Sequence, residues 1–431
     1  MIKRVAMLSV HTCPLAHLGG KETGGMNVYV RELATELDRR GIVVDVFTRS
    51  QEPGTPIVHG FLGEESRVIH VRAGPEVPYN KNKVHDNLCE FVEGVKARAI
   101  REKLQYDILH SHYWLSGLAA KKLKCIWGGT PIVQMFHTLG YMKNQVAQTA
   151  AETETSLRIK TERDIMQFAD RLIAATPIEK QQLIDLYQAD EQKIDIVSPG
   201  VNLSRFNPLP QNKALEKIGV PQNDKLILFV GRIQPLKGID TLIKAIALIV
   251  KREPKLAKSL CISIIGGDNK PDSPQERSEL QRLVKLKYEL GLNDLVVFLG
   301  AKDQDTLANY YSAAQMVVMP SHYESFGMVA LEAMACGTPV VASEVGGLAY
   351  IVENGFNGYL VPSKDAGALA DKISLLLRYP SLRNQLGDQA KMWVEHFSWQ
   401  NIAHQILDVY DKASEYVQTC CCTRQNQIFS V

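Results

Sequence analysis

Two glutamates interrupt a small and apolar stretch of the sequence, HYESFGMVALEAMACGTPVVAS, which runs from His322 to Ser343. Glu324 follows an apolar strand pattern, and Glu332 lies eight positions later in a segment typical of a buried helix. A buried carboxylate costs free energy unless a polar partner compensates it. If the helix begins near Gly327, Glu332 lies roughly 7–8 Å further along its axis. Two carboxylates so placed cannot share one proton, but they can accept hydrogen bonds from two separate diols of one extended ligand.

Two cations occupy the loop GRIQPLKGID, which follows the strand pattern KLILFV. Arg232 comes directly after the strand, and Lys237 comes five positions later, before a helix start. Pro235 and Gly238 shape this loop, which disfavours two freely solvated surface charges. Arginine can bind a diphosphate through two parallel hydrogen bonds. Together with the two glutamates, the loop indicates a nucleotide-sugar, which has one diol on the sugar, one on the ribose and a diphosphate between them.

Two glycines, Gly24 and Gly25, precede the helix pattern MNVYVRELATELDRRG. Without a Cβ atom, they allow backbone N–H groups at the positive end of the helix to approach a phosphate. The dinucleotide-binding pattern G-x-G-x-x-G is absent. The same two glycines are equally compatible with a tight turn from a strand into a helix.

Histidines end two other strand patterns. DILHSHYWLSG contains His110 and His112 on one side of a strand, and PIVQMFHTLG ends with His137 and Thr138. Two histidines on one side of a strand are compatible with zinc. No cysteine or carboxylate nearby completes such a site, so structural histidines are favoured and we predict no metal site.

Alternating strand and helix patterns occupy both halves of the chain and predict βαβ units with parallel sheets covered on both faces. The strand patterns after RVAMLSV are VVDVFTR, RVIHVRA, DILHSHY, PIVQMFH, RLIAAT and KIDIVSPG in the first half, and KLILFVGR, LCISIIGG, LVVFLGA, MVVMPSH, PVVASE and GYLVPS in the second. The segment SPGVNLSRFNPLP between them resembles a hinge. We therefore predict an α/β protein of two doubly wound, Rossmann-like domains that face a central cleft. Ligands in such sheets bind beyond the carboxyl ends of the strands, where most of the unusual residues fall.

The predicted first domain covers residues 1–199 and the second covers residues 200–399. The segment FSWQNIAHQILDVYDKASEY predicts a helix at about 400–417 that packs back on the first domain, followed by a flexible tail over 418–431. That tail contains three adjacent cysteines, Cys420–Cys422, for which we expect no specific role.

The bulk composition is that of a globular protein. A chain of 431 residues with 45% hydrophobic residues predicts two domains with sizeable cores. The 49 basic and 47 acidic residues are nearly balanced, which disfavours a nucleic-acid partner. No apolar run is long enough to span a membrane, the N-terminus begins directly with a strand pattern, and the cysteines lack metal-ligand spacing. We expect a cytoplasmic protein without integral membrane association.

The motifs together resemble a known family. ESFG-x-x-x-x-E with GTPVVAS, preceded by GR-x-x-x-x-KG, is similar to the retaining glycosyltransferases of family 4, which have the two-domain GT-B fold. The resemblance covers nearly the whole chain. Within the family, HTCPLAHLGGKETGGMNVYV, HSHYWLSG, FHTL and VSPGVN are most similar to the enzymes that glycosylate inositol 3-phosphate in mycothiol synthesis. Sucrose-phosphate synthases are next, although they usually have DTGGQ where this chain has ETGGM.

The resemblance implies a donor site. It places Glu324 on the donor sugar, Glu332 on the ribose and Lys302 near the uracil. The implied donor-binding residues are Gly25, Arg232, Lys237, Lys302, Glu324 and Glu332. The implied catalytic residues are Arg232, Lys237, Glu324 and His137, where His137 contacts the sugar and is not assigned as a base.

The resemblance also implies an acceptor site. Its residues are His11, Gly24, Asn27, Lys81, Tyr113, Thr138 and Arg158. Four of them, Lys81, Tyr113, Thr138 and Arg158, would surround the acceptor phosphate. Lys81 depends on the alignment of the variable segment GPEVPYNKNKV, and Lys83 can take its place.

The implied activity is transfer of a hexosyl group from a nucleotide-sugar, in particular a UDP-sugar, to a small phosphorylated acceptor such as inositol 3-phosphate. The resemblance implies retention of the anomeric configuration, no metal or other cofactor, and closure of the two domains around the substrates. It also allows a homodimer.

Alternative functions remain open. A sucrose-phosphate synthase would use fructose 6-phosphate as acceptor. A nucleotide-sugar epimerase belongs to another enzyme class and would leave Lys81 and Arg158 unexplained. A glycogen-phosphorylase-like enzyme would need a pyridoxal phosphate lysine and a far longer chain. A catalytically silent sensor is disfavoured because Arg232, Lys237 and Glu324 are all present.

Overall fold

The computed structural model describes residues 2–16, 23–78, 81–147, 153–267 and 274–428. These residues form two compact units. The first unit consists of residues 2–16, 23–198 and 399–428, and the second consists of 199–267 and 274–398. The boundary falls between Ser198 and Pro199, inside the segment predicted as a hinge.

The first unit contains a sheet that is eight-stranded within the described residues. Its strands are β1 (Arg4–Leu8), β2 (Val43–Arg49), β3 (Val58–Phe61), β4 (Arg67–Val71), β5 (Ile108–His112), β6 (Ile132–Met135), β7 (Arg171–Ala174) and β8 (Ile194–Ile196). Their order is β3-β4-β2-β1-β5-β6-β7-β8, and the neighbouring strands run parallel from β4 to β8. The central strands are buried on both faces, as the continuous apolar patterns predicted.

Strand β3 was not predicted from the sequence. It is short, pairs antiparallel with β4 at the edge of the sheet, and changes register between His59 and Phe61. Gly60 lies at this irregularity with φ +65°. The glycine and the lack of an apolar run leave no strand pattern in the sequence at this place. The strand forms because it pairs with β4.

Helices cover the first sheet. They are α1 (Gly25–Arg39), α2 (Lys81–Val84), α3 (Leu88–Arg101), α4 (Tyr113–Ile126), α5 (Gly140–Val146), α6 (Ser156–Phe168) and α7 (Pro177–Tyr187). Helix α1 buries Val30, Leu33 and Leu37, as its helical spacing predicted. It ends just before Gly41, whose φ of +77° turns the chain into β2.

The second unit repeats the architecture with a sheet that has six strands in the described part of the chain. They are β9 (Lys225–Val230), β10 (Leu260–Ile265), β11 (Val296–Phe298), β12 (Met316–Met319), β13 (Val340–Ser343) and β14 (Gly358–Val361). All neighbours are parallel, in the order β11-β10-β9-β12-β13-β14. The predicted fold class of two α/β units with doubly wound, Rossmann-like sheets is therefore confirmed.

The helices of the second half are α8 (Gln211–Ile218), α9 (Ile239–Arg252), α10 (Pro254–Ala257), α11 (Pro274–Glu289), α12 (Gln304–Ala313), α13 (Met328–Ala335), α14 (Leu348–Ile351), α15 (Ala366–Arg378), α16 (Pro380–Val394) and α17 (Trp399–Ile428). Helix α9 is typical of them, since Leu242, Ile246 and Ile249 bury one face against the sheet. It ends at Arg252 because Pro254 cannot continue the helix.

The last helix, α17, belongs to the first unit. The Trp399 ring packs edge-on against Tyr29 at 5.4 Å, and the Tyr410 hydroxyl lies 2.7 Å from Nδ1 of His110. The backbone is helical to Ile428, whereas the sequence predicted a helix only to about residue 417. Residues 429–431 of the predicted tail lie outside the described residues. Within the described chain, no helix has both the length and the apolar character needed to cross a membrane.

We predict that Tyr410→Phe lowers the free energy of unfolding by about 1–3 kcal/mol, because Nδ1 of the buried His110 loses its hydrogen-bond partner. Urea unfolding of the full chain measures the change. The matched control is Tyr288→Phe, which removes a hydroxyl from a side chain that is 71% exposed and should change stability by less than about 0.5 kcal/mol. Equal losses in both variants would contradict the role of the Tyr410–His110 contact.

Candidate active site

The predicted cations and carboxylates of the second unit lie where the strand order reverses. Connections leave β9 and β12 toward opposite edges of the sheet, so a crevice opens beyond the carboxyl ends of these two neighbouring strands. Arg232 and Lys237 lie in the loop after β9, and Glu324 lies in the loop after β12. The sheet therefore brings together residues that are about ninety positions apart in the sequence.

The two loops are joined by an ion pair. Nζ of Lys237 lies 2.5 Å from Oε2 of Glu324, and both side chains are largely buried, at 16% and 15% exposure. The backbone N–H of His322 also donates to the carbonyl of Leu236 at 2.8 Å. Lys237 thus holds the Glu324 carboxylate in place, where its oxygens can accept hydrogen bonds from hydroxyl groups.

Glycines allow these loops to approach so closely. Gly238 has φ +64°, and an added Cβ would lie 2.0 Å from the carbonyl oxygen of Pro320. On the other side of the Glu324 loop, the N–H of Gly347 donates to the carbonyl of Glu324, and an added Cβ would lie 2.3 Å from Cα of Phe326. Gly347 was not among the residues predicted from the sequence. Its signal was the glycine pair VGG directly after a buried strand, which indicates close backbone contact.

Arg232 differs from Lys237 because it has no counter-ion. Its side chain is half-buried, and no residue that the structure describes forms a hydrogen bond or ion pair with it. Lys302, in the loop after β11, is also half-buried and has no such contact within the described ranges. A partly desolvated guanidinium without a protein anion is suited to an anionic ligand.

Glu332 lies on α13, and its buried carboxylate has polar partners. The side chain is 7% exposed, its Oε2 accepts a 2.7 Å hydrogen bond from the Tyr311 hydroxyl, and its Oε1 accepts from Nε2 of Gln304 at 3.4 Å. Burial, reinforced by the neighbouring carboxylate, raises the pKa of Tyr311 well above its usual value, so the phenol remains a donor. The helix begins at Met328 after Gly327, as predicted. Tyr311 and Gln304 were missed, because α12 carries no motif.

Gln304 is itself held by a second contact. Its Oε1 accepts a 3.0 Å hydrogen bond from NH1 of Arg205, and Nε of Arg205 lies 2.9 Å from Asp305. The arginine therefore fixes which end of the amide faces Glu332. This chain of contacts orients the predicted ribose-binding carboxylate.

The first unit has the same kind of reversal between β1 and β5. His11 follows β1, Tyr113 follows β5, and their rings lie 4.4 Å apart. Tyr113 and His137 have φ of +74° and +61°, a left-handed conformation that non-glycine residues rarely adopt. Strain of this kind is stored where the surrounding structure requires a particular side-chain direction.

Asn27 closes the loop at the start of α1. Its Oδ1 accepts from the N–H of Gly24 at 2.9 Å, while its Nδ2 donates to Oγ1 of Thr12 and to the carbonyl of Cys13, both at 2.7 Å. The described contacts of Asn27 are thus with the protein. An added Cβ at Gly24 would meet no described atom within 4 Å. Gly25 is the first residue of the helix.

Tyr113, Thr138 and Arg158, three of the predicted acceptor residues, lie together in the first unit. Arg158 is fully buried, its NH2 donates to the carbonyl and the hydroxyl of Thr138 at 2.7 and 3.1 Å, and its guanidinium lies 4.7 Å from the centre of the Tyr113 ring. Two glutamates, Glu154 and Glu162, also contact it. These glutamates were missed by the sequence analysis, although both lie four positions from Arg158.

The remaining predicted phosphate ligand is Lys81. Its backbone begins α2, but its side chain lies outside the described part of the structure. The alternative residue, Lys83, is exposed on the same short helix.

Three neutral histidines lie beside this site, of which His110 and His112 are buried and His137 is partly buried. Nδ1 of His112 lies 3.0 Å from Nε2 of His137, and His110 contacts Tyr410. Burial lowers the pKa of His110 and of His137 to about 3, and that of His112 well below its usual value. In the described residues, no group of three or more histidine, cysteine or acidic side chains is placed to hold a metal ion. His137 is therefore neutral near pH 7, and its low pKa makes it a weak base.

The chain is similar to known glycosyltransferases over almost its whole length. Residues 23–205 match the family described as Glycosyltransferase Family 4, and residues 210–393 match Glycosyl transferases group 1. The D-inositol 3-phosphate glycosyltransferase of Saccharomonospora viridis is 41% identical over 416 residues, which are 95% of this chain and 94% of that protein. D-inositol 3-phosphate glycosyltransferase 2 of Catenulispora acidiphila is 41% identical over 418 residues, with 96% of each chain covered.

A solved structure is similar as well. The sucrose-phosphate synthase from Thermosynechococcus elongatus superimposes with a TM-score of 0.87 and 35% sequence identity. The superposition covers 95% of this chain and 98% of that one. Both groups of enzymes that the motifs resembled are therefore found among the similar proteins.

We predict that Gly347→Ala destabilises the second unit by about 1–3 kcal/mol, because the new methyl group overlaps the backbone of Phe326. Urea unfolding measures the loss. Gly367→Ala, in the first turn of α15, is the matched control, since an added Cβ there meets only an oxygen of Asp365 at 3.3 Å. The control should be neutral or stabilising by up to about 1 kcal/mol. Unchanged stability of Gly347→Ala would show that the Glu324 loop does not need this close approach.

The buried histidines predict a pH dependence of stability. Above pH 6.5, the usual histidine pKa, both the folded and the unfolded chain hold His110 neutral. As the pH falls from 6.5 toward 3, only the unfolded chain takes up the proton, so the free energy of unfolding falls by up to about 1.4 kcal/mol per pH unit for each such histidine.

Urea unfolding of the wild type and of His110→Gln between pH 7.5 and pH 5 tests this dependence. The free energy of unfolding of the variant should fall less steeply with decreasing pH, by the contribution of one histidine. The carboxylates contribute equally in both proteins. Parallel slopes would mean that His110 is protonated in the folded chain.

Proposed function

Because the chain belongs to glycosyltransferase family 4, we propose that it is a retaining hexosyltransferase that uses a UDP-sugar as donor. The proposed acceptor is a small phosphorylated molecule, inositol 3-phosphate. The observation that carries the proposal is the half-buried Arg232 without a counter-ion in the described residues, beside the Lys237–Glu324 pair at the reversal of the second sheet. This arrangement is suited to a diphosphate next to a polyhydroxylated group.

The donor would bind through residues of the second unit. Arg232 and Lys237 would contact the diphosphate, Glu324 the sugar hydroxyls and Glu332 the ribose. The Glu332 carboxylate is already held by Tyr311, so it would be pre-oriented for a diol. Lys302 would lie near the base. Gly25, the first residue of α1, would contribute a backbone N–H to the donor phosphates.

The chemistry follows from these charges. When the bond between the anomeric carbon and the diphosphate oxygen breaks, negative charge grows on the leaving diphosphate, and fixed cations there stabilise the transition state. The acceptor hydroxyl oxygen would then bond to the anomeric carbon from the same face, and its proton would pass to the leaving phosphate oxygen. His137, neutral near pH 7, would contact the sugar without acting as a base. Arg232 and Lys237 supply the positive charge, so we propose that no metal or other cofactor takes part.

The acceptor would bind in the first unit. Tyr113, Thr138 and Arg158 would bind its phosphate, together with Lys81, whose side chain is not described. His11 and the loop closed by Asn27, which includes Gly24, would contact the polyol. The full set proposed for the acceptor is His11, Gly24, Asn27, Lys81, Tyr113, Thr138 and Arg158.

Two acceptors compete in this proposal. The relatives named D-inositol 3-phosphate glycosyltransferase are 41% identical to this chain, and the sucrose-phosphate synthase is 35% identical. The higher identity and the segment ETGGM favour inositol 3-phosphate. The TM-score of 0.87 keeps fructose 6-phosphate as the second candidate. A cytoplasmic location, a homodimer and the lack of a nucleic-acid partner stay predictions.

Mass spectrometry of reaction products tests the function. UDP-glucose, UDP-N-acetylglucosamine and ADP-glucose are each incubated with inositol 3-phosphate, with fructose 6-phosphate or without acceptor. We expect a hexosylated inositol phosphate and free UDP. Arg232→Ala should lower kcat/KM by about 100-fold, as loss of one charge-stabilising donor does. The matched control Arg101→Ala, on the exposed end of α3, should retain full activity.

Each other result would overturn part of the proposal. Transfer to fructose 6-phosphate alone would make the chain a sucrose-phosphate synthase. Conversion of the donor sugar without acceptor would indicate an epimerase. Normal turnover by Arg232→Ala would exclude its role at the diphosphate.

A further inference from the structure

One carboxylate oxygen in the first unit lies between two cations. Oε1 of Glu154 is 2.8 Å from NH1 of Arg158 and 2.8 Å from Nζ of Lys143. The Arg158 side chain is completely buried, the Glu154 side chain is 6% exposed, and the Lys143 side chain is 26% exposed. An oxygen anion held by a guanidinium and an ammonium group occupies the position that a phosphate oxygen would take.

The contact between Arg158 and Glu154 is poorly aligned. NH1 is within ion-pair distance of the carboxylate, yet it has no hydrogen-bond partner in the described residues. The other donors of this guanidinium are satisfied, since Nε donates to Glu162 and NH2 donates to Thr138. The NH1 group of a fully buried arginine is therefore attracted to Glu154 by charge without making the hydrogen bond that it can form.

The second carboxylate in contact with Arg158, that of Glu162, also accepts hydrogen bonds from uncharged groups. Glu162 accepts hydrogen bonds from the N–H of Gly140 at 3.0 Å, from the Tyr187 hydroxyl at 2.5 Å and from Nε of Arg158 at 2.7 Å. These contacts tie α5, α6 and α7 together, so Glu162 is part of the packing. Glu154 lies before the first turn of α6, outside any helix, and the described contacts of its carboxylate are with cations.

We propose that Glu154 is a resident counter-ion which the acceptor phosphate displaces, and that Lys143 is a further phosphate-binding residue. This inference rests on the proposed phosphorylated acceptor. Without a substrate, Glu154 and Glu162 together balance the charges of Lys143 and Arg158, which keeps the buried Arg158 compensated. A phosphate dianion replaces that charge and satisfies NH1. An unphosphorylated polyol cannot replace it, so the exchange selects for phosphorylated acceptors.

Substitutions at this pair have opposite expected effects on acceptor binding. Glu154→Gln keeps the shape of the side chain and removes the competing charge, so the KM for the phosphorylated acceptor should fall by about tenfold. Lys143→Met should raise that KM by about tenfold or more, as loss of one charge-assisted contact does. The KM for the donor should not change in either variant. Lys160→Met, exposed on α6, is the matched control and should behave as the wild type.

A binding measurement separates this inference from the proposed function. Inorganic phosphate is added to the wild type and to both variants, and the rise in Tm is recorded. The rise should be larger in Glu154→Gln and smaller in Lys143→Met than in the wild type. This readout needs no turnover, so it decides the role of the cation pair even if no phosphorylated acceptor is a substrate.

Two results would overturn the inference. If the wild type glycosylates a phosphorylated acceptor and both variants keep its KM and its phosphate response, the function stands and the counter-ion role is wrong. If Glu154→Gln weakens phosphate binding, Glu154 supports the site and is not displaced. If Glu154→Gln fails to fold, Lys143→Met still tests the inference, because Lys143 is partly exposed and lies on a short helix.

Discussion

Parallel strands constrain everything else in this protein. Each connection between parallel strands crosses a face of the sheet. A crevice therefore opens at the carboxyl ends of two neighbouring strands whose connections lead to opposite sides. The pairs β9 and β12 in the second unit, and β1 and β5 in the first, are these neighbours. Arg232 follows β9 and Glu324 follows β12. In the first unit, His11 follows β1 and Tyr113 follows β5. The loops at these ends can vary while the buried strands hold their positions.

Buried charge is handled in two ways across the site. Some charged groups accept hydrogen bonds from neighbouring side chains, as Glu332 does from Tyr311 and Gln304, and these groups gain a fixed orientation. Others are left with an incomplete set of contacts in the described chain, as Arg232 is and as NH1 of Arg158 is. A partly desolvated cation without a full set of contacts is costly to fold and is stabilised by an anionic ligand. The cations with an incomplete set of contacts therefore mark where an anionic ligand is expected to bind.

The three neutral histidines make a related point about rigidity. His110, His112 and His137 lie at the ends of β5 and β6, where burial lowers the pKa of each. The lowered pKa values keep the three rings neutral near pH 7, where they contribute hydrogen bonds and packing. The left-handed backbone of His137 aims this neutral ring and the Thr138 that follows it. Arg158 then bonds to both the carbonyl and the hydroxyl of Thr138, which fixes the loop.

The sequence alone determined the two α/β units and their parallel strands, because continuous apolar runs are local signals. It also indicated the loops that hold the proposed site residues, through glycines and charges at the strand ends. It did not reveal β3, whose pairing comes from β4, or the extension of α17 to Ile428. Glu154, Lys143, Tyr311 and Gln304 were also hidden. Tyr311 and Gln304 contact Glu332 on another helix, and Lys143 on α5 contacts Glu154, which precedes α6. Only the tertiary structure determines which partner lies beside each buried charge.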